Sequence, residues 1–304
     1  MKCMRTRLLL AAMVAVFLFS AQSGVLAQSA PSAPLKAKAP RSIRLYVFDC
    51  GVLHNPDMGR FNLKKEDVTT TDMSMACFLI AHPKGNLIWD TGAVPDDSWK
   101  PTGAMITQHI NLPDGSSRDA EVDKTLRDQL KQIGYSPADV NFLALSHYHY
   151  DHTGNANEFA SATWLVPKVE YDVMFGGGKS YGTFQPSTFS ALKNSKTIII
   201  KDNEYDVFGD GSVIIKSAPG HTQGHQVLYV KLAKTGGVVL SGDLYHYPAE
   251  KTLDRTPTFD FSPEQTRASR KDIDAFLKKT NSQMWIQHDL AGNAKLKKSP
   301  KFYE

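Results

Sequence analysis

Apolar, β-branched and aromatic residues cluster in short runs bounded by Gly, Pro, Asn and Asp, the pattern of strands punctuated by turns. Such runs occupy residues 43–49, 76–80, 87–90, 142–146, 163–166, 197–200, 213–216, 227–232 and 237–240. Two stretches follow a helical period instead. Val122, Leu126, Leu130 and Ile133 recur at three- and four-residue spacing before Gly134, an apolar stripe ended by a glycine stop. In the second, Ser262 is a cap, Pro263 suits the first turn, Gln265 stands where a capping-box partner belongs, and Ile273, Phe276 and Leu277 form the buried face. Strands in two batches, each accompanied by helices, predict an α/β protein with sheet on sheet and helices outside. No internal repeat interrupts residues 41–304, and no shift of composition marks a linker, so they are expected to form one domain. Residues 95–118 and 176–186 lack regular pattern. Segments of that kind serve as lids or binding loops, and Trp99, Met105, Ile106, Tyr181 and Phe184 are expected either to wall an apolar pocket or to act as packed anchors.

The amino-terminal pattern is different. Lys2, Arg5 and Arg7 precede an apolar run over residues 8–19, and Val25-Leu26-Ala27 presents modest side chains where signal peptidase cuts. Residues 1–27 therefore read as an export signal, because the run falls short of the roughly 20 residues that span a bilayer. Cys3 lies before the run, so lipid anchoring finds no support, and no stable membrane anchor should remain after cleavage. Residues 28–40, rich in Ser, Ala, Pro and Lys, read as a flexible lead-in. The mature chain is expected to be periplasmic or secreted.

The signal also changes the charge picture. Of 304 residues, 35 are Lys or Arg and 31 Asp or Glu, a formal charge of +4, but three of the basic residues belong to the signal. What remains is nearly neutral, which offers no nucleic-acid footprint; the lysines at 295–301 read as a solvated tail. Cys50 and Cys77 stay after cleavage. An export compartment permits a disulfide, but their spacing shows no pairing, and buried free thiols are the favoured expectation. Nothing in the sequence speaks to oligomeric state.

The chemistry concentrates in Ser146-His147-Tyr148-His149-Tyr150-Asp151-His152, directly after the run at 142–145. Along extended backbone His147 and His149 project to one side, while Asp151 and His152 lie just beyond, where a turn can aim them at a second point. Three imidazoles and a carboxylate crowded at a strand end lose solvation that cations restore. A site for two metals and a nucleophilic water needs about seven protein ligands, and His221, Asp243 and His288, each following an apolar run, can complete the set. Strand ends of open sheets are where ligand sites gather. His54, His82 and His109 read as hydrogen-bonded structural histidines.

The HxHxDH run, the Pro219-Gly220-His221-Thr222-Gln223-Gly224-His225-Gln226 segment, the Ser241-Gly242-Asp243 turn and the late His288-Asp289 pair resemble the metallo-β-lactamase superfamily. Leu45-Tyr46-Val47-Phe48-Asp49-Cys50-Gly51 and Ile88-Trp89-Asp90-Thr91-Gly92 are most similar to its N-acyl homoserine lactonases. The resemblance spans nearly all of residues 41–290 and implies a four-layer αββα sandwich with its site at one edge of the sheets. It further implies two zinc ions, one held by His147, His149 and His221, the other by Asp151, His152 and His288, with Asp243 bridging them. Asp90 would orient a ligand imidazole. His225 is expected to be a buried hydrogen-bonded histidine, since the ligand count is complete without it.

By the same resemblance, a hydroxide bridging the metals would open the lactone ring of an N-acyl homoserine lactone, the small-molecule substrate, and Asp151 would carry the proton to the departing ring oxygen. Many such lactonases have a tyrosine three residues after the bridging aspartate. Here that position is His246, between Tyr245 and Tyr247, so either its imidazole or a neighbouring tyrosine is expected to meet the carbonyl, unless all three only pack the loop. Zinc β-lactamases lack the bridging aspartate, so Asp243 disfavours them; export away from glutathione disfavours a glyoxalase-type thioesterase, and near-neutral charge a nucleic-acid phosphodiesterase. A non-catalytic zinc-binding protein would need no second metal.

Overall fold

A computed structural model of the protein describes residues 39–54, 57–99 and 106–304. The predicted signal at 1–27, most of the lead-in at 28–40 and Met105 lie outside the described residues.

The first sheet holds β1 (Arg44–Leu53), β2 (Met73–His82), β3 (Gly85–Trp89), β4 (Ile106–Asn111), β5 (Ser117–Val122), β6 (Phe142–Ala144), β7 (Thr163–Pro167) and β8 (Thr197–Ile200). The second holds β9 (Glu204–Asp206), β10 (Val213–Ser217), β11 (Gln226–Leu232), β12 (Gly236–Leu240) and β13 (Ser282–Trp285). Their orders are β4-β5-β1-β2-β3-β6-β7-β8 and β13-β12-β11-β10-β9. All nine predicted runs fall in these strands. β3, β6, β7 and β8 pair in parallel, as do β12 and β13, whereas the other pairs are antiparallel.

Side-chain alternation builds the layers. Leu45 and Val47 of β1, Phe78 and Ile80 of β2, and Leu228 and Val230 of β11 fill the core between the sheets. Tyr46, Phe48 and Leu79 point the other way and pack with Leu126 and Leu130 of α1 (Leu126–Gln132) and further along with Val173 of α3 (Lys168–Phe175), which follows the short α2 (Tyr150–Thr153). On the far side, Val227, Tyr229 and Val239 meet Ile273 of α5 (Pro263–Thr280), with Phe276 and Leu277 against them; the short α4 (Pro248–Thr252) precedes it. The αββα sandwich is therefore present. Among the described residues no helix is long and apolar enough to cross a membrane.

The helix signals resolve in part. Ser262 Oγ accepts the Gln265 N–H at 3.3 Å, but the Ser262 N–H donates to Gly220 O at 2.9 Å, so only half of a capping box forms. Val122, expected in the first helix, ends β5; α1 starts at Leu126, where Thr125 Oγ1 accepts the Asp128 N–H.

Three expectations are corrected. Residues 95–118 are not irregular throughout, because β4 and β5 form a hairpin about Pro113-Asp114-Gly115, with Gly115 N–H donating to Leu112 O at 3.0 Å. The segment at 295–301 is no solvated tail: Leu296 packs on the inter-sheet core, Ser299 N–H donates to Val47 O, and Leu45 and Tyr303 exchange two backbone hydrogen bonds of 2.9 Å. β5 pairs with β1 only at Val52 and Leu53, leaving the first half of β1 an open edge that this segment covers. Finally, Cys50 and Cys77 are joined in a disulfide, Cα–Cα 6.0 Å. They sit on adjacent antiparallel strands, where a register shift between Asp49 and Val52 accompanies their approach, a proximity that sequence spacing does not encode.

Candidate metal centre

Loops leaving the carboxyl ends of β6, β10, β12 and β13 converge at one edge of the sandwich. β6 ends at Ala144, and the chain continues through His147 and His149 into α2, which carries Asp151 and His152. His221 follows β10, Asp243 follows β12 in a turn, and His288 follows β13. Gly242 opens that turn at φ +49°, and a Cβ there would stand 2.7 Å from His225 Nε2 and from Ser146 Cβ, so the close approach needs glycine.

The structure brings all seven predicted ligands together, buried, in two groups: His147, His149, His221 and Asp243, and beside them Asp151, His152 and His288. Asp243 faces both. Its Oδ2 lies 3.2 Å from His221 Nε2 and 3.7 Å from His147 Nε2, and its Oδ1 lies 3.0 Å from both His152 Nε2 and His288 Nε2. Asp151 stands at the rim of the second group, 3.7 Å from His288 Nε2.

The outward-facing nitrogens explain which atoms look inward. His152 Nδ1 meets Asp90 Oδ2 at 2.9 Å, His288 Nδ1 meets Ser74 O at 2.8 Å, His149 Nε2 meets Tyr181 O at 2.8 Å and His221 Nδ1 meets Asp260 Oδ1 at 2.8 Å. Each of these partners accepts, so each imidazole in its neutral form commits its proton outward and turns its other nitrogen's lone pair inward. In keeping with this, among the described residues His147 Nε2, His152 Nε2, His288 Nε2 and Asp243 Oδ1 are buried without a hydrogen-bond partner although they lie close together. Acceptors facing acceptors in a buried site repel one another, and a divalent cation is the group that reconciles them. The donor set fits two metal ions.

Charge reinforces the fit. Burial pulls the His149 imidazole down to about 3, helped by the charge of His221, so it is a neutral ligand at ordinary pH. For Asp243, burial favours the neutral acid, but His152, His288, His246 and His147 together hold the carboxyl well below the usual range, and its charge in turn raises His152 and His221 against the effect of burial: a carboxylate that draws positive charge onto its neighbours is one that a cation suits.

The remaining predicted residues find definite places. Asp90, at φ +55°, also accepts the Ser146 N–H at 2.6 Å and the Gln287 amide at 2.8 Å. His225 donates through Nδ1 to Ala218 O and accepts the Asp243 N–H at Nε2, both at 2.9 Å, so it fixes the turn and stands outside both groups. His246 places Nε2 3.0 Å from Asp243 Oδ2, while its Nδ1 and backbone N–H meet Glu250 at 3.2 Å. Its neighbours turn away: Tyr245 lies under the Arg270 guanidinium, and Tyr247 Oη donates to Thr71 O. His54, His82 and His109 each meet an acidic side chain away from the centre.

Several supporting residues were not singled out from the sequence. Asp260 looks like one more polar residue before a helix. Glu170, on α3, is pushed up to about 7 by burial; it accepts from Thr222 Oγ1, Gly224 N–H and Tyr148 N–H, tying the His221 loop to the His147–His149 segment. Glu250 links His246 to Arg270 at 2.8 Å. Tyr181 and Phe184 prove to be anchors: Tyr181 braces His149, and Phe184 forms a bridge with the same residue. Trp99 donates through Nε1 to Val122 O.

This fold and this centre define a metal-dependent hydrolase, and the chain belongs to the metallo-beta-lactamase superfamily, whose family model matches residues 71–281. Among curated relatives, the N-acyl homoserine lactonase AttM of Rhizobium radiobacter is 32% identical over 275 residues, covering 86% of this chain and 98% of the relative. The N-acyl homoserine lactonase AiiA of Bacillus thuringiensis subsp. kurstaki is 27% identical over 217 residues, covering 70% and 80%. A solved N-acyl homoserine lactone hydrolase with N-hexanoyl-L-homoserine at its catalytic metal centre superposes with a TM-score of 0.70 at 21% identity, covering 86% of this chain and 99% of that one.

Proposed function

We propose that the protein is an exported dizinc lactonase that opens the ring of N-acyl homoserine lactones. The observation that carries this reading is the pair of ligand groups sharing Asp243, in a chain aligned along nearly its full fold with lactonases. His147, His149 and His221 would hold one zinc, Asp151, His152 and His288 the other, and Asp243 both. The imidazole-and-carboxylate donor set suits zinc. Two such ions, when bound, acidify water at neutral pH and offset negative charge on a reacting carbonyl.

The protein's own groups do the rest. A small cleft of about 40 Å³ beside the centre is lined by Leu53, Phe61, Met73 and Phe259, apolar contacts for the start of an acyl chain, and by Asp151 and His246. Asp151 is the carboxylate placed to pass a proton to the departing ring oxygen. His246 is the donor placed for the substrate carbonyl, its Nε2–H being the one now directed at Asp243. Asp90, Ser74, Tyr181 and Asp260 hold the ligand imidazoles in the required tautomer. Export is supported by the amino-terminal pattern and by the Cys50–Cys77 disulfide, which suits an oxidising compartment.

The test is acid release in weak buffer from N-hexanoyl homoserine lactone by the purified, zinc-loaded mature chain. Rapid proton release that a chelator stops is expected. Its absence from protein shown to hold two metals would overturn the lactonase assignment.

A further inference from the structure

The same cleft has a polar wall that lactone hydrolysis does not use. Arg60, from the turn at Met58–Phe61, and Arg118, from β5, both line it, and Tyr150, the first residue of α2, lies between ligands His149 and Asp151 in the sequence and lines it too. Tyr150 is 2% exposed as a residue, or less for its hydroxyl, which is buried with no hydrogen-bond partner. The Arg60 guanidinium sits 4.8 Å above the Phe259 ring, and among the described residues it meets no carboxylate. Arg118 Nη1 donates to Ser117 O and likewise meets no carboxylate among them. Arg127 and Arg270, by contrast, both pair with acidic side chains. Two guanidiniums with no ion-pair partner among the described residues and an unpaired phenol, beside the Asp151 and Asp243 carboxylates that face the centre, make a donor-rich part of this lining, and oxyanions are the groups that match such donors.

We propose that Arg60, Arg118 and Tyr150 form a subsite for an oxyanion on the ligand, so that the preferred substrates are acylated lactones whose acyl arm carries a carboxylate. The inference rests on the hydrolytic reading of the cleft. Burial, together with the nearby Arg118 charge, pulls the Arg60 pKa below its ordinary value, although the Asp57 and Asp151 carboxylates act the other way. An anion held between the two guanidiniums offsets that repulsion, whereas a plain alkyl arm does not. Tyr150 belongs to the same donor set because its O–H can complete a carboxylate that two guanidiniums grip from the side.

The test compares N-hexanoyl homoserine lactone with its analogue ending in a carboxylate, N-adipoyl homoserine lactone, on the zinc-loaded mature chain. The expected result is a kcat/KM at least about tenfold higher for the acid, one good charge-assisted contact. The ratio should collapse toward one in Arg118→Gln and in Arg60→Gln, fall by a smaller factor in Tyr150→Phe, and shrink as salt rises. Equal rates for the two lactones, with a ratio that none of the variants moves, would overturn the subsite. Binding of adipate by calorimetry gives a readout independent of turnover: if no lactone is opened but adipate binds and Arg118→Gln abolishes it, the subsite stands and the lactonase reading falls. Adipate binding unchanged in both arginine variants overturns the proposal.

Discussion

The two ligand groups share Asp243 but are held from behind by different kinds of structure. His152 and His288 lean on regular strands, through Asp90 directly after β3 and the Ser74 carbonyl within β2. His149 and His221 lean on segments outside any helix or strand, through the Tyr181 carbonyl and Asp260. A sheet fixes its side chains by pairing on both flanks, while loops vary and move more readily. The first pair thus marks the strand-backed half of the centre, and the second the loop-backed half.

The sharpest way to break this comparison is to remove what both halves share. Asp243→Ala should take metal content toward one ion per chain and cost at least ~100-fold in turnover; full activity with two metals bound, by elemental analysis, would sink the bridge. Next comes a change aimed only at the loop-held half. Gly182 has φ +73°, and a Cβ there would press into His149 Nε2. Gly182→Ala is therefore expected to weaken one metal about 10- to 100-fold and spare the other, which a chelator titration would show as two separated steps; a single unchanged step would contradict it.

Asp260→Asn and Asp90→Asn sharpen the contrast. Each should loosen one metal by a comparable factor, but Asp90→Asn should also lower the melting temperature more, by an amount equivalent to about 1–3 kcal/mol, because Asp90 accepts a backbone N–H and the Gln287 amide as well. Equal melting temperatures would remove the distinction between the halves.

The effect that leaves the metals untouched lies away from both halves. Asp96 accepts the N–H groups of Leu126 and Arg127 at the start of α1, yet burial, with the Glu158 charge adding to it, pushes its pKa up to about 6. A folded pKa above the unfolded value favours the folded state below about pH 4, and that advantage disappears as pH rises through about 6. Asp96→Asn should accordingly gain stability relative to the parent between those limits, by up to about 3 kcal/mol. Denaturant melts at pH 4 and pH 7 that differ equally in both proteins would refute the assignment.

What the sequence revealed follows from how local the signals are. Strand alternation and the HxHxDH spacing are local, so sheet on sheet and four of the candidate ligands could be read before any coordinate, whereas His221, Asp243 and His288 came from their places after apolar runs and from the family resemblance. The β4–β5 hairpin was legible too, since Pro113-Asp114-Gly115 is a turn signal, but the polar residues of both strands hid it. Asp260, Glu170 and Glu250 could not be read: each matters through a partner far away in sequence, and a lone acid on a helix or before one has no local signature. The Cys50–Cys77 bond failed for the same reason.

The strip at 299–303 that closes the open edge of β1 carries a consequence for assembly. Leu45 and its partner Tyr303 lie far apart along the chain, so β1 keeps a half-paired edge until residues 299–303 dock on it. Such an edge is where chains stick to one another. In the folded protein residues 299–303 protect that edge, and a variant in which they cannot pair would be folded in most of its parts and adhesive along one seam.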